Sequence, residues 1–229
     1  MLFMPFDPMF LYLVLPAMLF AMWAQARVSG SFKEYSQEHT QKGVTGAEAA
    51  REILKRAGVH DVKIEKVGGH LTDHYDPRDN TIRLSESVHD SQTIAALGVA
   101  AHEAGHALQH STGYAPLNLR MAILPITSIG SKLAMPLVLI GFVFDMTGLV
   151  NIGILLFGAV ALFQIVTLPV EFNASRRALD ALGDSGILNS EELPGARKVL
   201  NAAALTYVGA LAVSLAQIAR LLLLSRRRR

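Results

Sequence analysis

Four apolar stretches constrain this chain more than any other feature. A helix needs about 20 apolar residues to cross the hydrocarbon core of a bilayer, and residues 9–26, 122–144, 149–170 and 204–224 all approach that length. The 229 residues are 51% hydrophobic and only 17% charged, too apolar for an ordinary soluble domain. Within lipid a helix satisfies its own main-chain hydrogen bonds. The expectation is a mainly helical membrane protein with three to four transmembrane helices.

The first stretch carries Trp23 as an interfacial anchor. Its rival reading is a cleaved signal peptide, because Ala24-Gln25-Ala26 resembles an A-x-A cleavage site. No Lys or Arg precedes the apolar run, and Asp7 stands there instead, which favours a retained N-terminal anchor over residues 1–26. Residues 145–148 separate the second and third stretches and predict a tight helical hairpin over 121–170. Pro125, Pro136 and Pro169 are expected to kink or end helices, and Lys132 is costly unless it faces protein or water. Gln217 and Arg220 interrupt the last segment, 204–229. It either spans or lies along the surface with Arg226 to Arg229 on lipid headgroups. Basic residues Arg27, Lys33, Arg120, Arg176 and Arg177 flank the first three spans on one side, and predict that 27–120 and 171–203 face the cytoplasm. The terminal arginines dissent if the fourth segment crosses fully.

The polar region before residue 90 reads as a small fold of its own. Thr45 and Glu48 form a capping-box pattern, and the helix after them stops at Gly58. Residues 61–67 alternate as a strand, Gly68-Gly69 makes a turn, 70–75 is a second strand, and 81–85 a third after the turn at 76–80. This predicts a small antiparallel sheet ahead of the next helix.

That helix holds His102-Glu103-Ala104-Gly105-His106. Two histidines four residues apart point the same way from one helix face and can grip one zinc ion. Glu103 beside them can take a proton from the attacking water. With 8 His in 229 residues, chance gives roughly 0.01 such motifs per chain, so the motif is suggestive and its helical setting matters. Asp90 or Ser91 is positioned to cap this helix and Gly113 to end it. Gly98 and Gly105 cost helix propensity and point to close packing against another element. The chain has no cysteine, so metal ligands must be His, Asp or Glu.

A catalytic zinc keeps three protein ligands and one open position. Glu171 is the best third candidate, because an acid where the third apolar stretch ends is costly unless liganded or paired. Its bland alternative is an ion pair with Arg176 or Arg177. His110 continues the histidine stripe, but a straight helix cannot wrap one ion with three successive turns, so His110 reads as a neighbour. His74 and His89 read as turn and surface residues.

Several segments together carry a wider likeness: His74-Tyr-Asp-Pro-Arg78, residues 81–85, the helix through His110, residues 171–178 beginning Glu-Phe-Asn-Ala-Ser, and residues 203–208. In these the chain resembles the bacterial YugP-like membrane zinc peptidases, also called neutral zinc metallopeptidases, over nearly its whole length. The resemblance implies a membrane-embedded, gluzincin-like zincin with Zn2+ held by His102, His106 and Glu171, and Glu103 as general base. Element order is also similar to the HtpX-type membrane peptidases. Those often carry an Asp four residues after the ligand Glu, where this chain has Ser175, a weaker partner for an imidazole N–H. Tyr207 is the candidate oxyanion donor. The expected activity is zinc-dependent endopeptidase cleavage of a peptide or protein substrate, including membrane proteins, at the lipid bilayer. The competing class is a non-catalytic zinc-stabilised membrane scaffold. A metal transporter would need paired ionisable residues within several spans, which this chain lacks. Nothing in the charge distribution suggests nucleic-acid binding.

Overall fold

A computed structural model describes residues 7–226, with side chains to Ser225. The expected headgroup contacts of Arg226 to Arg229 lie outside the described side chains. The chain divides into two compact units: Met1–Ala24 with Leu119–Leu168 and Leu205–Arg229, and Gln25–Asn118 with Pro169–Ala204.

In the second of these, α2 (Gly46–Arg56) starts at the expected capping box. Thr45 Oγ1 accepts from the Glu48 N–H at 3.3 Å, and Glu48 Oε2 accepts from the Thr45 N–H at 2.8 Å. Gly58 follows in the left-handed region at φ +73, a conformation that costs glycine nothing. Strands β1 (Lys63–Val67), β2 (His74–Asp76) and β3 (Thr81–Ser85) come next, then the single turn α3 (Glu86–His89) and α4 (Ile94–Ser111).

The sheet is mixed, not antiparallel as expected. Its order is β1-β3-β2, with β1 parallel to β3 from Lys63↔Thr81 to Val67↔Ser85, and β2 antiparallel to β3 from His74↔Arg83 to Asp76↔Thr81. The Gly68-Gly69 turn does not close a β1–β2 hairpin. Gly69 (φ +106) and Leu71 (φ 54) instead carry the connection across to the far side of β3. Asp73 secures that crossing by accepting from the Ser85 N–H at 2.7 Å. Strand β3 takes the centre because Thr81, Ile82, Leu84 and Ser85 are all buried, whereas β1 and β2 have no buried position. A central strand is covered on both edges and favours such a sequence.

The core of this unit lies between β3 and the Ala-rich face of α4. Ile82, Leu84, Leu97, Ala100, Ala101 and Ala104 pack with Ile53 and Leu54 of α2. Small side chains let α2 and α4 approach: a Cβ on Gly46 of α2 would meet the Ala100 Cβ of α4 at 3.3 Å. The start of α4 is capped by Thr93, whose Oγ1 accepts from the Ala96 N–H at 3.4 Å, and not by Asp90 or Ser91. Those two are diverted: Asp90 binds Lys66 at 2.7 Å and Ser91 Oγ pairs with Thr93 Oγ1 at 3.0 Å. Gly113 (φ +62) follows the helix end as expected.

The other unit consists of helices. Among the described residues four segments are long and apolar enough to cross a membrane: Phe10–Tyr35, Ala115–Val143, Thr147–Asp184 and Leu193–Ser225. They contain the π-helical turn Phe10–Val14 with α1 (Leu15–Tyr35), α5 (Ala115–Val143), α6 (Thr147–Asp184) and α7 (Leu193–Arg226). Within this unit Ile126, Val143, Phe144 and Leu155 are each at least 67% exposed, a surface suited to hydrocarbon and not to water. Glycine allows close helix contact here: a Cβ on Gly153 would meet Ala134 O at 2.9 Å, and one on Gly209 the Ala21 Cα at 2.9 Å. The hairpin turn is closed by Asp145 in the left-handed region (φ 55).

None of the three prolines ends a helix: Pro125 and Pro136 lie inside α5 and Pro169 inside α6. In an apolar solvent a broken helix exposes several unbonded main-chain groups, whereas continuing past a proline loses one bond. α6 therefore runs on unbroken through Glu171.

Thr93→Ala is expected to lower stability by about 1 kcal/mol, the usual worth of an N-cap. A thermal midpoint equal to wild type in the same detergent would show that the cap contributes nothing.

Candidate metal centre

The second unit brings α4 and the 169–184 part of α6 side by side. Their approach is set by Gly105, where a Cβ would meet the main-chain oxygen of Ala174 at 2.6 Å. No other residue type fits that contact without moving backbone. The close packing expected of Gly105 is thus against the segment that carries Glu171. Gly98 packs less tightly, against Ala196 at 3.5 Å.

Across this contact three donor groups converge. His102 Nε2 lies 3.2 Å from Glu171 Oε2, and His106 Nε2 lies 3.6 Å from the same oxygen. The ligating atoms of His102, His106 and Glu171 all fall within 4.8 Å of one another. The imidazole rings stand nearly perpendicular, with centroids 4.7 Å apart. Donors on a zinc tetrahedron with bonds of about 2 Å stand about 3.3 Å apart, so the spacing fits such an ion.

The opposite ring nitrogens are held by polar partners. Ser175 Oγ lies 3.1 Å from His102 Nδ1, one helical turn beyond Glu171. Gln109, fully buried, places Oε1 3.1 Å from His106 Nδ1. Its amide orientation is fixed from the other end, because Nε2 donates to Val170 O at 2.7 Å and to Asn173 Oδ1 at 3.0 Å. Asn173 Oδ1 also accepts from Arg177 Nε at 2.9 Å. The amide oxygen must therefore face the imidazole, and His106 Nδ1 must carry the proton. His106 Nε2 then meets the carboxylate either as a second N–H or with a bare lone pair. Burial alone pushes the His106 pKa down, but the facing Glu171 and the nearby Glu103 outweigh it, and the net direction is upward. The pocket is built to hold positive charge at that nitrogen, and a divalent cation fits it as a proton does.

Glu171 is 2% exposed, and an isolated carboxylate buried so deeply would be prohibitive. It faces the histidines, so the alternative pairing with Arg176 or Arg177 does not describe it; Arg177 instead holds Asn173 and lies over the Tyr114 ring at 5.9 Å. Glu103 is buried at 8% exposure on α4. Tyr207 is half-buried on the part of α7 assigned to the other unit. His110 turns away to Tyr75, whose hydroxyl is 2.7 Å from its Nδ1. Tyr75 donates to Asn80 Oδ1 at 2.5 Å; burial, with Asp61, Asp76 and Asp79 close by, pushes its pKa up to about 12, so the phenol keeps its proton. His74 lies exposed on β2 and His89 pairs with Asp90 at 2.6 Å.

Sequence reasoning missed Gln109 and Asn173. Gln109 had a signal: it stands three residues after His106 and seven after His102, on the metal-facing stripe of α4. Asn173 had none, since its role depends on the tertiary contact.

The family model described as "Putative neutral zinc metallopeptidase" matches residues 10–226. The chain belongs to this family. A relative in Bacillus subtilis (strain 168), named "Putative membrane protease YugP", is 45% identical over 216 residues, covering 94% of this chain and 96% of its own. No solved structure gives a significant match. Family membership implies zinc, and the N, N, O donor set, with a hydrogen-bonding partner on each outer ring nitrogen, suits that ion.

Gly105→Ala is expected to spread α4 from the Glu171 segment and to weaken zinc binding at least about tenfold, read by chelator competition. Gln109→Leu, close in size but unable to hold the His106 tautomer, is expected to lose about 10- to 100-fold in zinc affinity. Unchanged affinity in either variant would contradict the packing described above.

Proposed function

We propose that this protein is a membrane-embedded, gluzincin-type zinc endopeptidase, with His102, His106 and Glu171 as metal ligands and Glu103 as general base. The observation that carries the reading is the convergence of two Nε2 atoms and one buried carboxylate oxygen, each imidazole backed by a hydrogen-bonding partner. Zinc, when bound, supplies the Lewis acidity that lowers the pKa of a water towards about 7 and polarises a carbonyl. Glu103, next in sequence to a ligand and buried, takes the proton of the attacking water and returns it to the departing amine. Ser175 and Gln109 act as positioning residues that keep the Nε2 lone pairs aimed inward. Tyr207 remains the proposed donor to the developing oxyanion.

Strand β2 packs against α4 and is an edge of the sheet. Its free edge suits main-chain pairing with an extended peptide, which would let varied sequences bind. The substrate class is thus a peptide or protein segment, including membrane proteins. Among the described residues His102, His106 and Glu171 form the complete set of clustered donors. A structural zinc site normally fills a fourth protein position, so three donors beside a buried Glu favour catalysis over the scaffold reading. The basic residues flanking the spans support a bacterial inner membrane location with the polar unit cytoplasmic.

Two variants separate the roles. Glu103→Gln is expected to retain zinc and lose casein-type cleavage by about 10²-fold or more. Glu171→Ala is expected to lose both zinc and cleavage. Normal turnover by Glu103→Gln would overturn the assignment of the base, and full zinc content in Glu171→Ala would overturn that of the third ligand.

A further inference from the structure

The membrane unit contains a cavity of about 540 Å3, within the range of small-molecule sites. All four spanning segments line it, with Met18, Met135, Leu139, Phe157 and Val213 forming an apolar wall. Two of its polar groups, Gln217 and Arg220, stand one helical turn apart towards one end, and Ser214 lies a further turn inward beside Val213. Arg220 there is committed to Asp7, donating from Nε at 2.9 Å and Nη2 at 2.5 Å. Gln217 is not: the residue is 7% exposed, and its Nε2 is buried without an acceptor among the described residues. A buried amide donor left unpaired is destabilising unless a ligand satisfies it.

The cavity has a direction. Arg220 meets Asp7 before the first residues of the π-helical turn, and Gly209 meets Ala21 further along, so the first helix and α7 run antiparallel. At 1.5 Å per residue, Val213 lies about 10 Å inward from Arg220. The polar end is therefore where these two helices end, and the apolar depth runs towards their middle. A lipid leaflet has the same order, with ester carbonyls outside and alkyl chains within.

We infer that this cavity binds one acyl chain of a membrane phospholipid, its ester carbonyl accepting from Gln217 Nε2. A spanning helix is a poorer occupant, because its main-chain carbonyls are already bonded within the helix. A free fatty acid would bring a carboxylate to an end where the Arg220 charge is already matched by Asp7. A neutral ester carbonyl fits that balance and supplies the missing acceptor.

The test uses the full chain in nanodiscs of phosphatidylglycerol carrying a diazirine on one acyl chain, with adducts mapped by peptide mass spectrometry. Adducts are expected on the covered wall residues Val14, Met135 and Phe157, as well as on lipid-facing Leu155. Gln217→Leu should reduce cavity adducts about fivefold relative to Leu155, the worth of one neutral hydrogen bond. Nε2 has no acceptor within the described residues, so the substitution breaks no internal bond of that donor; a thermal midpoint equal to wild type in lipid-free detergent shows that the lost labelling is not unfolding. Val213→Trp should abolish cavity adducts by filling the space; if it fails to fold, the Gln217→Leu comparison decides. Adducts confined to Leu155-type positions, or equal labelling in Gln217→Leu, would overturn the inference. So would displacement of the probe by a fatty acid or an apolar spanning peptide but not by unlabelled phospholipid.

Discussion

One buried carboxylate governs the polar unit. Glu171 has no water to solvate it, so its cost must be offset by groups that bring positive charge to within bonding distance. Two imidazole nitrogens from α4 do so at 3.2 and 3.6 Å. For them to reach it, α4 and α6 must lie closer than side chains normally allow, and this is why a glycine faces the Ala174 carbonyl. The alanines of the same α4 face follow from the same demand. A helix that presents large residues to its neighbours cannot be brought so near, while Ala and Gly sacrifice burial area for proximity. The sheet and α2 then supply the apolar area that α4 gives up, with Ile82, Leu84, Ile53 and Leu54 all at most 3% exposed.

The other unit solves a different problem. Its solvent is hydrocarbon, so apolar side chains on its outside cost nothing and main-chain continuity matters more than propensity. Pro125 and Pro136 remain helical for that reason, and glycines gain contacts between helices in place of hydrophobic burial. Charge is tolerated as a matched pair: Arg220 and Asp7 are 213 residues apart in sequence yet bonded. Hydropathy alone shows Arg220 as a flaw in the last stretch and Asp7 as an oddity before the first. Only the fold shows that each explains the other.

Much of the molecule was legible in the sequence because the signals were local. Four apolar stretches, a capping box at Thr45 and Glu48, a glycine after each of two helices, and two histidines at helical spacing each depend on neighbours within a few residues. Glu171 was readable from a physical anomaly, an acid where an apolar run ends. What was not readable depended on distant partners. The sheet's order turned on which strand had most to bury, and the Gly68-Gly69 turn looked like a hairpin although the chain crosses β3 there. The cap of α4 moved to Thr93 because Lys66 takes Asp90. Gln109 bonds to a carbonyl 61 residues away, which no local pattern encodes.

The partners of the two histidines carry a further consequence. A serine backs His102 and a glutamine backs His106, so neither imidazole faces a carboxylate through its outer nitrogen. A carboxylate in that position draws the proton strongly and makes the ring a better electron donor to a metal. Neutral partners fix ring orientation as well, and the Gln109 amide oxygen also fixes the His106 tautomer, but they transfer less charge. An aspartate in place of Ser175 would add a negative charge behind His102 and, with a dication bound, blunt the field acting on a water or carbonyl. Ser175 thus holds the His102 ring through a neutral hydroxyl: the bond keeps its geometry and adds no charge.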